Sequence, residues 1–331
     1  MISEKENFLL LLRGQMPEFI PTYRREKWLI SGGPYKFGDT KNDEGYPVDE
    51  YGVVYTTTEE SMGGIMPLPG RVLLDDITRW RDVIRNPDLS SVDWEKYAAE
   101  TLASRDTAND PVIVYHGHFF IKLVNFMSFS EALIVLLEEP EECCALMEYL
   151  CDYHVELFKK QIRYLKPDIL ALSDDISSDR SPFISLDIYR RIIKPHHKRL
   201  ADIALDNNMC VMMHCCGNAE PFLDDFVDIG VSGWEPAQAG NDFPTIKKKF
   251  GRKLAIMGGW DNTGRFSLPG TSDEELRAAL IEYVDTFAPG GGFAYMGRVA
   301  RSFDEEDYKR KSAICEEVYE TYARDWYKTH S

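Results

Sequence analysis

The triplet His214-Cys215-Cys216 places an imidazole and a thiol two residues apart. Both are preferred zinc donors, and a turn leaving a strand can aim them at one point, with Cys215 between them pointing away. A buried histidine beside two packing cysteines would have the same spacing. Glu235 is a candidate third ligand, because carboxylate is an accepted zinc donor; a general base or a hydrogen-bonding residue is the alternative. Asp174 and Asp175 form a carboxylate pair able to hold a proton, orient a histidine or support a metal from behind. His116 and His118 are candidate acids or substrate hydrogen-bonders, with a structural role open for one of them.

Each of these residues follows a short apolar run. His116 and His118 come after PVIVY (Pro111–Tyr115), Asp174 and Asp175 after DILAL (Asp168–Leu172), His214 and Cys216 after CVMM (Cys210–Met213). Glu235 follows Val231–Trp234, Trp260 and Asp261 follow Leu254–Met257, and Arg298 follows Phe293–Met296. The runs read as buried parallel strands, since strands covered on both faces are continuously apolar. Helical patterns lie between and after them: from about Ser130, then Glu141–Lys166, Leu186–Asp206 with a kink expected at Pro195, Glu220–Ile229, Phe243–Phe250, Asp273–Phe287 and Glu305–Trp326. Phe19–Tyr23 and Val53–Thr57 are candidates for the missing strands.

Repeated strand–helix units predict a (β/α)8 TIM barrel as a single domain over residues 1–331. Residues 1–110, rich in turns such as Ser31-Gly32-Gly33-Pro34 and Gly63-Gly64, form an irregular N-terminal elaboration or lid, and 111–331 carry the regular repeats. No Gly-x-Gly-x-x-Gly follows a strand, which argues against a dinucleotide fold. In such a barrel the polar residues after the strands share one rim, where barrel active sites lie. Trp260, Asp261, Arg298 and Tyr23 are the substrate-binding candidates. Tyr23, Trp28, Tyr35, Tyr51 and Tyr55 could line a slot for a ring, or simply pack.

A net charge of -17 excludes phosphate backbones and anionic membranes as partners. No run of eighteen apolar residues is present, and the N-terminal MISEKENFLLLLRGQMPEF reads as an amphipathic helix. The seven cysteines are odd in number and have no disulfide spacing, which fits a reducing cytoplasm; Cys143, Cys144, Cys151, Cys210 and Cys315 read as packing residues.

The run MMHCCGNAEPFLDDFVDIGVSGWEPAQ, followed by FGRKLAIMGGWDN and GGGFAYMG, resembles the uroporphyrinogen decarboxylase superfamily, as do SDDISSDRSPFISLDIYRRIIKPHHKRL and the start Arg13 to Glu18. The resemblance covers most of the chain and implies the barrel. True decarboxylases of the superfamily carry an arginine-rich segment that grips carboxylates; here the matching PTYRREKWLISGG has Arg24 and Arg25 without that motif. The corrinoid-dependent methyltransferase branch holds zinc with His-x-Cys and a distant Cys. His214 and Cys216 match, but FAYMGRVA offers Arg298 and no thiol, which leaves a site containing Glu235 or no zinc at all. GGIMPLPGRVLLDDITRWRDVIRNPDLSSVDWE resembles the subgroup found beside corrinoid proteins, which implies a methyltransferase of the ether-cleaving O-demethylase type. On this resemblance the methyl group passes from a small methyl donor, a methoxyaromatic ether, to Co(I) on a corrinoid partner protein, with zinc or a proton donor such as His116, His118 or Asp175 activating the leaving oxygen. A decarboxylase-like lyase and a non-catalytic barrel that binds a small molecule or a corrinoid partner are the alternatives, and a homodimer stays open.

Overall fold

The computed structural model describes residues 2–30, 32–35, 37–57, 64–300 and 304–330. Ser31 and Gly63, from two of the expected turns, lie outside the described residues. Seven strands form one parallel sheet in strict chain order: β1 (Leu29–Ile30), β2 (Ile113–Gly117), β3 (Ile169–Ser173), β4 (Cys210–His214), β5 (Gly233–Ala237), β6 (Ala255–Gly258) and β7 (Phe293–Ala294). All six apolar runs after residue 110 become strands; the first five end one to three residues further toward the rim, and the last, Phe293–Ala294, ends two residues short.

The expected eighth strand differs. Phe19–Tyr23 contributes a single parallel bridge, Thr22 to Tyr295 just past β7, with Tyr295 N donating to Pro21 O at 2.8 Å. The other candidate is corrected: Tyr55–Thr57 pairs antiparallel with Ile65–Pro67 in a separate two-stranded sheet. A second hairpin joins Thr40–Lys41 and Pro47–Val48. Asp49 organises this region by accepting from the backbone of Tyr51 and Val53 and from Tyr55 Oη. Lys122 anchors it to the sheet's helices through Asp49 and Glu50, both at 3.0 Å.

The two-residue period of a strand sorts the side chains. Ile113, Tyr115, Ile169, Ala171, Cys210, Met212, Ala255 and Met257 face inward into one apolar cluster with Phe8, Leu12 and Trp28. Val114, Leu170, Leu172, Val211, Met213, Trp234 and Ile256 face outward against the helices. The N-terminal helix α1 (Glu4–Leu12), begun by a Ser3/Glu6 capping box, covers the inner cluster. It fits because Gly233 lacks a side chain: a Cβ there would stand 2.6 Å from Leu12 Cδ2.

Helix α2 (Phe119–Met127) leaves β2 directly and has no counterpart in the sequence reading. Its buried residues Phe119, Phe120, Leu123, Phe126 and Met127 follow the helical period, with Lys122 and Asn125 on the other side, and its cap is Asp174, far away in sequence. It is followed by Phe129–Glu138 and by α3 (Pro140–Leu165). The bend at Pro195 takes the form of a wide π turn, Tyr189–Ile193, before the helix Lys194–Asp206. Pro195 has no N–H for the Arg191 carbonyl, so the regular ladder gives way there. A second wide turn, Tyr319–Ala323, interrupts the last expected helix, which runs from Glu305–Val318 to Trp326–Thr329. Among the described residues no single helix is long and apolar enough to cross a membrane; Phe119–Met127 and Phe129–Glu138 pass together but are bent by 113°.

Candidate metal centre and its surroundings

The parallel register aligns Ser173 with His214 and His214 with Glu235 across three adjacent strands. His214 and Glu235 both fall on the inward parity, so their side chains meet. His214 Nδ1 lies 2.9 Å from Glu235 Oε1, and both residues are buried. That bond turns the other ring nitrogen outward: His214 Nε2 lies 3.7 Å from Cys216 Sγ and 3.7 Å from Asp175 Oδ1. Asp175, His214 and Cys216 thus bring one donor atom each within 4.8 Å of one another.

Glu235, a candidate ligand in the sequence, lies against His214 Nδ1, and the third donor atom that lies with His214 and Cys216 belongs to Asp175, one residue from the helix-capping Asp174. The Asp175 Oδ1 atom also accepts from Cys216 N at 2.8 Å, which ties the two loops together.

The turn after β4 holds this geometry because Gly217 has φ +82° and no Cβ; a Cβ there would stand 2.3 Å from Ser178 O. Gln238 Oε1 accepts from Gly217 N at 2.8 Å, and Asn241 Nδ2 donates to Gly217 O at 3.0 Å. Burial raises the pKa of the Cys216 thiol, and the charges of Asp175 and Glu235 raise it further, against the opposing charge of Arg25. Cys215 is buried and points away, as its position between the donors requires.

Two residues that the sequence reading passed over complete the surroundings. Tyr115, the last residue of an apolar run, faces inward and stands edge-on to the His214 ring at 5.8 Å. Arg25, on a short helix Arg25–Trp28, places its guanidinium 5.6 Å from the Tyr115 ring centre and donates to Tyr115 Oη at 3.4 Å. Its signal was the Arg24-Arg25 pair in PTYRREKW, and only the fold singles out the second arginine.

Tyr23 is buried, and its pKa is raised by burial first and by Glu235 second. It also borders a cleft of about 620 Å³ lined by Arg24, Asn262, Met296 and Arg298. His118 packs on Tyr115 at 4.7 Å and lines a cavity of about 240 Å³ with Tyr35, Lys122, Tyr153 and His154. Burial, aided by the Lys122 charge, pushes the His118 pKa down to about 3.

The remaining candidates lie elsewhere. His116 is outward-facing, because β2 runs two residues past the apolar run and 116 shares the parity of Val114. It is fully buried between the sheet and α3, 2.6 Å from Gln161 Oε1 and 3.1 Å from His154 Nδ1. Asp174 is buried and accepts from the backbone of Phe120 and Ile121 at 2.9 and 3.0 Å, capping α2. Trp260 donates to Arg298 O at 2.7 Å and stacks on Phe266, which fixes the loop after β7. Asp261 is exposed and closes a turn on Thr263. The five aromatics do not line one slot: Trp28, bonded to Asp110, and Tyr51 and Tyr55 are buried, and Tyr23 and Tyr35 line two different cavities.

Residues 72–295 match the protein family described as Uroporphyrinogen decarboxylase (URO-D). Among solved structures, a methyltransferase from Methanosarcina mazei shares the fold with a TM-score of 0.58, over 96% of this chain and 100% of its own, at 14% identity. No curated protein matches the chain.

Proposed function

Because this chain belongs to the uroporphyrinogen decarboxylase family, we propose that it is a methyltransferase that moves a methyl group from a small methoxyaromatic ether to the Co(I) corrinoid of a partner protein. The observation that carries the reading is the donor set Asp175, His214 and Cys216, supported from behind by Glu235. Tetrahedral zinc with ordinary bond lengths separates a nitrogen from a sulfur ligand by about 3.5 Å and from an oxygen ligand by about 3.3 Å. The observed 3.7 Å spacings need a closure of only a few tenths of an ångström. The residues fit zinc, and three protein ligands leave a fourth position for substrate, as in catalytic sites.

A zinc held there would supply Lewis-acid polarisation of the ether oxygen. Glu235 fixes the His214 tautomer by accepting from Nδ1, leaving Nε2 as the donor toward the shared point. Tyr115 stands edge-on to the His214 ring, suited to an aromatic substrate bound beside the metal point. The fold supports a closed (β/α)8 reading of residues 1–331, with β1 paired to β2 and Thr22 bridged to Tyr295. On this reading the part of residues 1–110 outside α1, the Thr22 bridge and β1 acts as the lid. Seven free thiols suit a cytoplasmic enzyme.

One observation favours a second reading. Arg25 puts a cation at the mouth, as a carboxylated substrate of a decarboxylase-like lyase would require. Incubation with a methoxyaromatic and Co(I) cobalamin, or a cognate corrinoid protein, separates the two. Methyl transfer predicts phenol release in step with loss of the Co(I) absorbance. Phenol released equally without corrinoid, or carbon dioxide released from an aromatic acid, contradicts it.

A further inference from the structure

Three side chains away from the metal point form a directional hydrogen-bond chain that ends at a cavity. Gln161 Nε2 donates to Gly32 O at 3.0 Å, which turns Gln161 Oε1 toward His116. That oxygen can only accept, so His116 Nε2, 2.6 Å away, carries the proton. Burial pushes the His116 pKa down to about 4 and that of His154 well below the ordinary histidine range, so both rings are neutral. A neutral imidazole has one N–H, so His116 Nδ1 accepts, and the proton in its 3.1 Å contact with His154 Nδ1 belongs to His154. His154 Nε2 is then a bare lone pair. Among the described residues it has no hydrogen-bond partner, and His154 lines the cavity of about 240 Å³ beside Tyr115.

The same cavity is rich in acceptors. Asn125 Nδ2 is spent on Tyr55 Oη at 3.1 Å, which leaves its Oδ1, and Glu50 adds a carboxylate. Lys122, the cation in the wall, is held by Asp49 and Glu50. Lone pairs and a carboxylate disfavour an anion. Burial first, and the Lys122 charge among the other causes, lowers the pKa of both His118 and His154, so a second cation beside those rings is disfavoured as well. The other walls are apolar or aromatic, from Ile121, Leu157, Tyr35, Tyr115 and Tyr153. The volume exceeds the roughly 150 Å³ that houses a benzene ring.

We propose that this cavity binds a small neutral molecule through a hydroxyl that donates to His154 Nε2, with His116 and Gln161 as positioning residues that hold His154 in the accepting tautomer. Tyr115 lines the cavity and stands 5.8 Å from the His214 ring, so the cavity adjoins the metal point across that ring. Such binding requires neither metal nor corrinoid and is independent of the methyl-transfer reading. A ligand without the hydroxyl leaves the buried acceptor unpaired and is rejected by about tenfold or more.

The test titrates the full-length protein by calorimetry with phenol, fluorobenzene, benzoate and benzylammonium. Wild type is expected to bind phenol about tenfold or more tighter than the other three. His154→Phe, which keeps a ring and removes the lone pair, should bind phenol and fluorobenzene alike, with circular dichroism confirming the fold. Nitrogen NMR of histidine-labelled wild type should place the proton on Nδ1 of His154 and on Nε2 of His116, and the His154 Nε2 signal should move with phenol but not with fluorobenzene. Gln161→Leu should release the tautomer, so that His154 shows both forms and the phenol preference shrinks. Equal binding of phenol and fluorobenzene by wild type, no phenol binding, or tighter binding of benzoate or benzylammonium overturns the site. So does a preference that survives in folded His154→Phe, or a proton on His154 Nε2 in wild type. A folded Gln161→Leu with an unchanged His154 tautomer overturns the positioning role. If the variants do not fold, the calorimetry and NMR of wild type decide.

Discussion

Glu235 holds His214 by its Nδ1 atom at 2.9 Å, and this one bond decides which residues can share a metal. With Nδ1 engaged, only Nε2 is free, and it faces Cys216 and Asp175. Carboxylates behind ligating histidines typically account for 10–100-fold in metal affinity. Glu235→Ala is therefore expected to weaken zinc binding by about that factor while keeping the stoichiometry, as measured by competition with a chromophoric chelator. Complete loss of the metal would make Glu235 a ligand and Asp175 the bystander.

Asp174 and Asp175 are adjacent in sequence but do different work. Asp174 caps α2 through two buried backbone N–H groups. Asp174→Ala should cost about 2 kcal/mol or more of stability, since a lost cap and unsatisfied buried donors combine. Metal content should stay unchanged. Asp175→Ala should do the reverse, with a near-normal melting temperature for the metal-free protein and lost metal. Thermal unfolding with elemental analysis of both variants checks the pair.

Gly217 tests the turn. Its φ of +82° and the 2.3 Å approach of Ser178 O to a would-be Cβ leave no room for alanine. Gly217→Ala is expected to destabilise by about 2 kcal/mol or more and to displace Cys216 from His214. A variant that melts like wild type and still holds metal would show that the turn relaxes freely.

The His116 imidazole, pushed down to about 4 by burial, is neutral in the folded chain. The unfolded value is about 6.5. Above that pH neither state is protonated, and the residue adds no pH dependence. Between 6.5 and 4 the unfolded chain takes up a proton that the folded chain refuses, so stability falls as pH falls, and the effect levels off below 4. The slope is about 1.4 kcal/mol per pH unit for one such group. In urea unfolding between those pH values, His116→Gln should show a slope smaller by about one proton. An unchanged slope would mean that His116 titrates normally.

The strands were legible because each is a continuous apolar run, and the rim because polar residues follow those runs. What the runs hid was where each strand stops. CVMM ends one residue before its strand does, so His214 lands on the inward parity. PVIVY ends two residues early, so His116 lands on the outward face against Gln161. The same alternation separates Asp174 from Asp175. The short β1 at Leu29–Ile30 could not be found by periodicity, since two residues have none. Tyr115 was concealed as the last letter of an apolar run and Arg25 as one of two arginines. Their place beside His214 depends on pairings between segments ninety residues apart in sequence.

The most direct test of the account is the zinc content of the purified protein, measured by elemental analysis for wild type, His214→Ala and Cys216→Ser side by side. About one zinc per chain in wild type, lost in both variants, is the predicted result. A wild-type protein that takes up no zinc when the ion is supplied, or variants that retain it in full, would contradict the claim that Asp175, His214 and Cys216 form a metal centre.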